Sequence, residues 1–194
     1  MATAWGSEVV DPPGEAPATA KLVHTRKSLL RAADAITTCG PTFAKTVADY
    51  AGLASNSVSV VPFGVDLSLF NADACKGEES DVARVGFFKG FRAVYGPTVL
   101  IRAIPGVLDQ YPDARFEMIG DGAELANCQA MAQELGVDHA VEWVGRLDHS
   151  LLPARLAQWQ LSVISSIHEA FGVAALESQA MGVSVVASRV DGLN

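Results

Sequence analysis

A chain of 194 residues holds one ordinary domain, or one domain and part of another, and is long enough to bury a core. With 49% hydrophobic and 19% charged residues, it has the make-up of a globular chain rich in buried sheet, which excludes a disordered one. The formal net charge of −8, without any cluster of lysine and arginine, argues against nucleic acid as a partner and gives no electrostatic reason to sit on an anionic membrane.

Residues 1–18 carry acids together with Pro12, Pro13, Gly14 and Pro17, and are expected to be a disordered N-terminus. They lack the basic start and apolar core of a signal peptide. Nowhere does an apolar run approach the roughly 18 residues of a spanning helix, so the chain is expected to be soluble and cytoplasmic, with no integral membrane segment. Cys39, Cys75 and Cys128 are an odd number at wide spacings and read as reduced thiols. No two of His24, His139, His149 and His168 share the helical spacing of a metal pair. Of the four, His168 is singled out because it stands beside Glu169 at a strand end, where a general base is conceivable but a second-layer role is the commoner use.

An amphipathic helix is predicted over 19–34, with Leu22, Val23, Leu29 and Leu30 on or near one side, followed by a short strand at 35–39. Gly40-Pro41 opens a helix to about Tyr50, proline standing in the first turn where its missing N–H costs nothing. Another strand follows at 57–61. Residues 63–81 show little periodicity and read as an interdomain connection. From there strands are predicted at 83–88, 115–119, 140–144, 161–167 and 183–188, and helices at 97–110, 123–135, 149–159 and 171–181. That alternation means an α/β fold, a doubly wound parallel sheet with helices on both faces. Near-continuous apolar runs such as Leu161-Ser162-Val163-Ile164 fit strands buried on both sides.

Glu169 and Glu177 stand eight positions apart, bracketing an apolar helix start directly after a buried strand. The strand-to-helix turn leaves backbone N–H groups near 170–173 aimed outward, a cradle for a diphosphate that Gly172 lets approach. With the helix starting near Phe171, Glu177 lies about 9 Å further along it, the reach from the sugar of a nucleotide-activated donor to its ribose. Glu177 is the only charge in that helix and needs hydrogen bonds if buried, which ribose hydroxyls would supply. The alternative is that Glu169 complements the helix dipole and Glu177 faces solvent beside Ser178. Spacing alone does not choose between the two.

Further motifs do. The run Glu169 to Ser188, E-A-F-G-V-A-A-L-E-S-Q-A-M-G-V-S-V-V-A-S, resembles the E-x7-E signature of the retaining group 1 (family 4) glycosyltransferases, which have the GT-B fold. Val60-Val61-Pro62-Phe63-Gly64-Val65-Asp66, with Phe70, looks like the family's crossing between domains. The stretch containing Lys89, Tyr95-Gly96 and Leu100-Ile101-Arg102-Ala103 resembles a second motif, residues 116–122 a third, and residues 141–145 a fourth. Five motifs in register carry a specificity that none has alone.

The resemblance implies a Rossmann-like C-terminal donor domain over 82–194 preceded by a β-α-β remnant of the N-terminal domain over 19–62. Such a chain would be a fragment, a truncated product or one half of a split enzyme. In it Glu169 would hold hydroxyls of the transferred sugar, the N–H groups of Phe171, Gly172 and Val173 would bind phosphate, and Glu177 would bind ribose. The backbone at Gly145, Arg146 and Leu147 would meet the base, with Gly120 in another loop at the same end of the sheet. Lys89, seconded by Arg92, would stabilise the departing nucleoside diphosphate without a metal or other cofactor. Lys89 has the alternative of a solvated strand-end lysine. The chain departs from the family at Val94, where a second basic residue is usual, at Ser184 and at Asp191.

The implied partners are a nucleotide sugar such as a UDP- or GDP-sugar, a saccharide or lipid-linked acceptor, and a separate chain supplying the N-terminal domain. The implied reaction is glycosyl transfer with retention; the alternative is a non-catalytic nucleotide-sugar-binding remnant. Gly120-Asp121-Gly122 lacks the third glycine of a dinucleotide-binding turn, which argues against hydride chemistry. A chain lacking part of its sheets is expected to be of low stability or to self-associate.

Overall fold

A computed structural model describes residues 1–4, 9, 11, 16–75 and 81–193. The chain forms two compact units: Met1–Gly64 with His168–Gly172 and Arg189–Asn194, and Val65–Ile167 with Val173–Ser188. The first unit thus takes back two short segments from the region expected to be donor domain alone, and one of them carries Glu169.

In the first unit β1 (Ala2–Ala4), β2 (Ile36–Thr38) and β3 (Val58–Val60) form a parallel sheet in that order, with Ala2 opposite Ile36 and Ile36 opposite Val58. Helix α1 (Ala20–Ala32) connects β1 to β2, and α2 (Pro41–Ala51) connects β2 to β3. The strand β1 corrects the expectation of a disordered start. Three residues with small or β-branched side chains carry too little pattern to be read, and only pairing with β2 makes them a strand. Helix α1 is capped by the Thr19 hydroxyl, which accepts from the Leu22 N–H. Of its four apolar residues Leu30 alone is buried, while Leu22 and Leu29 are exposed. The core is filled from α2 instead, by Phe43, Ala44, Val47, Ala48 and Ala51, against Ile36 and Val58. Proline at the start of α2 and Gly52 in left-handed geometry after it close that helix as its sequence demands.

The second unit is a five-stranded parallel sheet of order β6-β5-β4-β7-β8, built from β4 (Arg84–Phe88), β5 (Arg115–Ile119), β6 (Val141–Gly145), β7 (Leu161–Ile164) and β8 (Ser184–Ala187). Strands are added outward from β4 to β6 on one side, and then from β7 to β8 on the other. Alternation along β4 and β5 feeds two cores. Val85, Phe87, Phe116 and Met118 face α3 (Pro97–Leu108) and α4 (Leu125–Glu134). Phe88 and Ile119 belong to the opposite core, with Phe70, Leu152, Leu156, Trp159, Met181 and Val183 around α5 (Leu152–Leu156) and α6 (Val173–Ala180).

One charge is buried between sheet and helix. Glu117 of β5 is 3% exposed, accepts from the Trp159 indole N–H at 3.0 Å, and lies 3.3 Å from the Arg155 guanidinium, which also reaches Glu142 at 3.4 Å. Burial pushes the Glu117 carboxyl above its ordinary value, against the lowering effect of Trp159 and Arg155. Two acids side by side on neighbouring strands repel, and the shared arginine offsets this. The indole fits because the neighbouring position on β4 is Gly86, where a Cβ would lie 2.1 Å from the ring.

Several element bounds differ from expectation, and three of the differences bear on the site. The helix expected over 149–159 is a 3-10 turn, His149–Leu151, followed by the short α5. Strand β7 ends at Ile164, and α6 begins at Val173 and not at Phe171. Glu177 therefore lies four residues into α6, about 6 Å along its axis and not about 9 Å. Among the described residues, no helix is long and apolar enough to cross a membrane.

Candidate active site

The strand order reverses between β4 and β7, and in such sheets ligands bind outside the carboxyl ends of the strands at the reversal. A cavity of about 600 Å³ lies there. After β4 it is lined by Phe88, Lys89 and Gly90, after β5 by Gly120, Asp121 and Gly122, after β6 by Arg146 and Leu147, and from the helical side by His149, Leu152 and Glu177.

The loops after β4 and β5 are tied backbone to backbone. Phe91 N–H donates to the Asp121 carbonyl at 2.8 Å, and Glu124 N–H to the Phe91 carbonyl at 2.9 Å. Gly120 N–H donates to the Gly145 carbonyl at 2.8 Å, joining the third loop. This closeness demands glycine at 120 and 122. Both have positive φ, 138° and 151°, and a Cβ would stand 2.2 Å from the Lys89 carbonyl oxygen or 2.4 Å from that of Phe91.

Lys89 places its ammonium 4.4 Å from the centroid of the Tyr95 ring, a cation–π contact that steadies it beside the cavity. Arg92 directly precedes the 3-10 turn Ala93–Tyr95, exposed, with its guanidinium 6.0 Å from the same ring. Tyr95 thus gathers both expected cations.

Glu177 is 8% exposed, which overturns the solvent-facing alternative. Helix α6 is anchored on β7 by Ser178, whose hydroxyl bonds the Ser162 hydroxyl at 2.8 Å and donates to the Ala174 carbonyl at 2.9 Å. With Ser178 fixed inward, its neighbour Glu177 is aimed at the cavity. His149 donates from Nε2 to Glu177 Oε1 at 2.8 Å. His149 carries no local signal of this role, and with the partners 28 positions apart no sequence pattern could have found the pair. Asp121 and Leu152 were likewise missed. The Asp121 carboxylate accepts from the Gly122 N–H at 2.7 Å.

Of the expected site residues, the cavity brings together Lys89, Gly120, Arg146, Leu147 and Glu177, with Gly145 behind them. Val173 opens α6 in the same unit. Glu169, Phe171 and Gly172 belong to the other unit. There the Phe171 ring meets Phe63 edge-on at 5.4 Å. Gly172 has φ 82°, and the space a Cβ would need is filled by Leu193, 2.4 Å away. Its small size serves the packing of the turn at 190–193. His168 lies in that unit too, its ring 6.4 Å from Phe43 and its Nε2 buried without a hydrogen-bond partner.

The family model of the group 1 glycosyl transferases matches residues 73–194. The chain belongs to that family. Among curated relatives, this group 1 chain is 29% identical over 153 residues to a D-inositol 3-phosphate glycosyltransferase of Corynebacterium jeikeium, covering 71% of this chain and 36% of that protein. The sucrose-phosphate synthase of Thermosynechococcus elongatus superposes with a TM-score of 0.81 at 24% identity, over 99% of this chain and 50% of the other. Anabaena Alr3699/HepE, solved in complex with UDP and glucose, gives 0.74 at 20% identity over 89% of this chain and 49% of its own. At such identities the superpositions establish the fold. The group 1 chain spans half or less of the length of each of these proteins.

Proposed function

We propose that the cavity binds a nucleotide-activated sugar, a UDP- or GDP-sugar, and that the chain is the donor-binding part of an enzyme moving that sugar to a saccharide or lipid-linked acceptor with retention of configuration. The observation carrying this reading is the buried Glu177 carboxylate, aimed from α6 into a cavity at the strand-order reversal with Lys89 beside it. A buried acid needs hydrogen-bond donors, and a vicinal diol supplies two. A diphosphate needs cations and backbone N–H groups; Lys89, Arg92 and the amide of Val173 at the start of α6 are assigned to it. The UDP in the Anabaena structure supports the same ligand class.

Transfer breaks the bond from the anomeric carbon to the diphosphate oxygen. A new bond forms to the acceptor hydroxyl oxygen on the same face, and the hydroxyl proton is released. Charge grows on the departing diphosphate, and a fixed cation at that end lowers the barrier without a metal. The backbone around Gly145 to Leu147 is assigned to the base. A non-catalytic nucleotide-sugar-binding remnant, or one half of a split enzyme, is the second reading.

Incubation with UDP- and GDP-sugars, watching nucleoside diphosphate release and the anomeric proton by NMR, tests both readings. Turnover with the donor's configuration kept in the product supports the first, and inversion contradicts it. Binding without turnover supports the second, and a folded chain that binds none of them contradicts both.

A further inference from the structure

Glu177 projects into the cavity on a side chain with three rotatable bonds, so something must hold its carboxylate if it is to meet two hydroxyls at once. We infer that His149 is the positioning residue for Glu177 and sets the ribose selectivity of the site; this rests on the nucleotide-sugar reading of the cavity.

An ionised carboxylate only accepts, so the 2.8 Å contact between His149 Nε2 and Glu177 Oε1 has the imidazole hydrogen on Nε2. The imidazole is itself held twice. Its ring stands 5.1 Å from that of Phe70, tilted by 56°, and Phe70 is 1% exposed within the core beneath. Its backbone opens the 3-10 turn that Asp148 caps, the carboxylate accepting from the Ser150 N–H at 2.8 Å and also from the Ser150 hydroxyl. Asp148 is thereby occupied within its own turn and leaves His149 free to serve Glu177.

The carboxylate keeps the remaining lone pairs, on Oε2 and one further on Oε1, for ligand donors. Its orientation is fixed before the ligand arrives, so the entropy of freezing the side chain is not lost again on binding. The other charged side chains lining the cavity, Lys89, Asp121 and Arg146, come from different loops. Without His149 the acid loses its orientation, and the site its preference for a ribose bearing both hydroxyls.

The test is titration calorimetry of the full chain with UDP, GDP and their 2′-deoxy counterparts, on wild type, His149→Ala and His149→Gln, with folding checked by circular dichroism and thermal unfolding. Wild type is expected to bind the ribose form about tenfold or more tightly than the deoxy form, the range of a hydrogen bond to a charged group. His149→Ala is expected to shrink that preference to within about twofold, and His149→Gln, whose amide can donate, to restore most of it. A merely structural role would weaken both nucleotides equally and leave their ratio unchanged. Retention of the wild-type ratio in His149→Ala overturns the inference alone; a folded wild type that binds neither nucleotide overturns it together with the reading of the cavity.

Discussion

Gly120 is where the three loops of the site are held at once, so a single methyl group there tests whether their spacing matters. In Gly120→Ala the new Cβ would lie 2.2 Å from the Lys89 carbonyl oxygen and 3.0 Å from its carbon, against backbone that has no rotamer to change. A close carbon–oxygen contact needs roughly 3.3 Å, so the loops after β4 and β5 must part by about 1 Å. The φ of 138° adds strain of about 1–3 kcal/mol for a residue with a side chain. Moving the Lys89 charge from about 4 to about 5 Å of a phosphate, at an effective dielectric of about 20, loses about 0.8 kcal/mol, or a factor of about four in affinity. Urea unfolding should therefore show a loss of about 1–3 kcal/mol in stability. Calorimetry should show nucleoside diphosphate binding weakened by about fourfold or more. The control is Gly106→Ala in α3, where a Cβ meets nothing within 4 Å and stability should hold or rise by about 0.5–1 kcal/mol. A Gly120→Ala protein with the midpoint and affinity of that control would refute the reasoning.

Three further outcomes follow from the same geometry. Gly86→Ala should cost about 1–3 kcal/mol in urea unfolding through overpacking against Trp159, and much less in a Trp159→Ala background; equal costs in both would show that the indole is not what fills the space. Glu117 has its folded-state value raised above 4.5, so as pH rises from there the unfolded chain gives up its proton first and folded stability falls until the native carboxyl has ionised too. Glu117→Gln should lack that decline in denaturation midpoints measured across the range, and an identical profile would contradict the burial effect. Lys89→Ala should weaken a nucleoside diphosphate at least several-fold more than the bare nucleoside in calorimetry, whereas equal weakening would remove the lysine from the phosphates.

The alternation of strands and helices from Arg84 onward was legible because apolar runs buried on two faces and proline or glycine at helix ends are local signals. The motifs around Lys89, Gly120, Gly145 and Glu177 were legible through their resemblance to a family pattern, and the fold brings those residues to one end of one sheet. What escaped depends on distant partners. Strand β1 exists through its pairing with β2, 34 positions away. Leu22 and Leu29 have the right residue type and period for a core, yet α2 had already filled it. His149 is unremarkable until α6 brings Glu177 to it, and the packing of Leu193 against Gly172 joins positions that no local pattern links. The helix before β7 was read too long because Trp159 and Leu156 continue the apolar pattern, although they pack onto the sheet from a single short turn of helix and its exit.

On the proposed reading, Glu177 receives the ribose of a nucleotide donor in the cavity at the strand-order reversal. Titration calorimetry of the full chain with UDP, GDP and a few nucleotide sugars, on wild type and Glu177→Ala, tests it most directly. Binding by wild type that the folded variant loses by about tenfold or more, as befits a hydrogen-bonded charge, is the expected result. Equal binding by both, or none by a folded wild type, would contradict it.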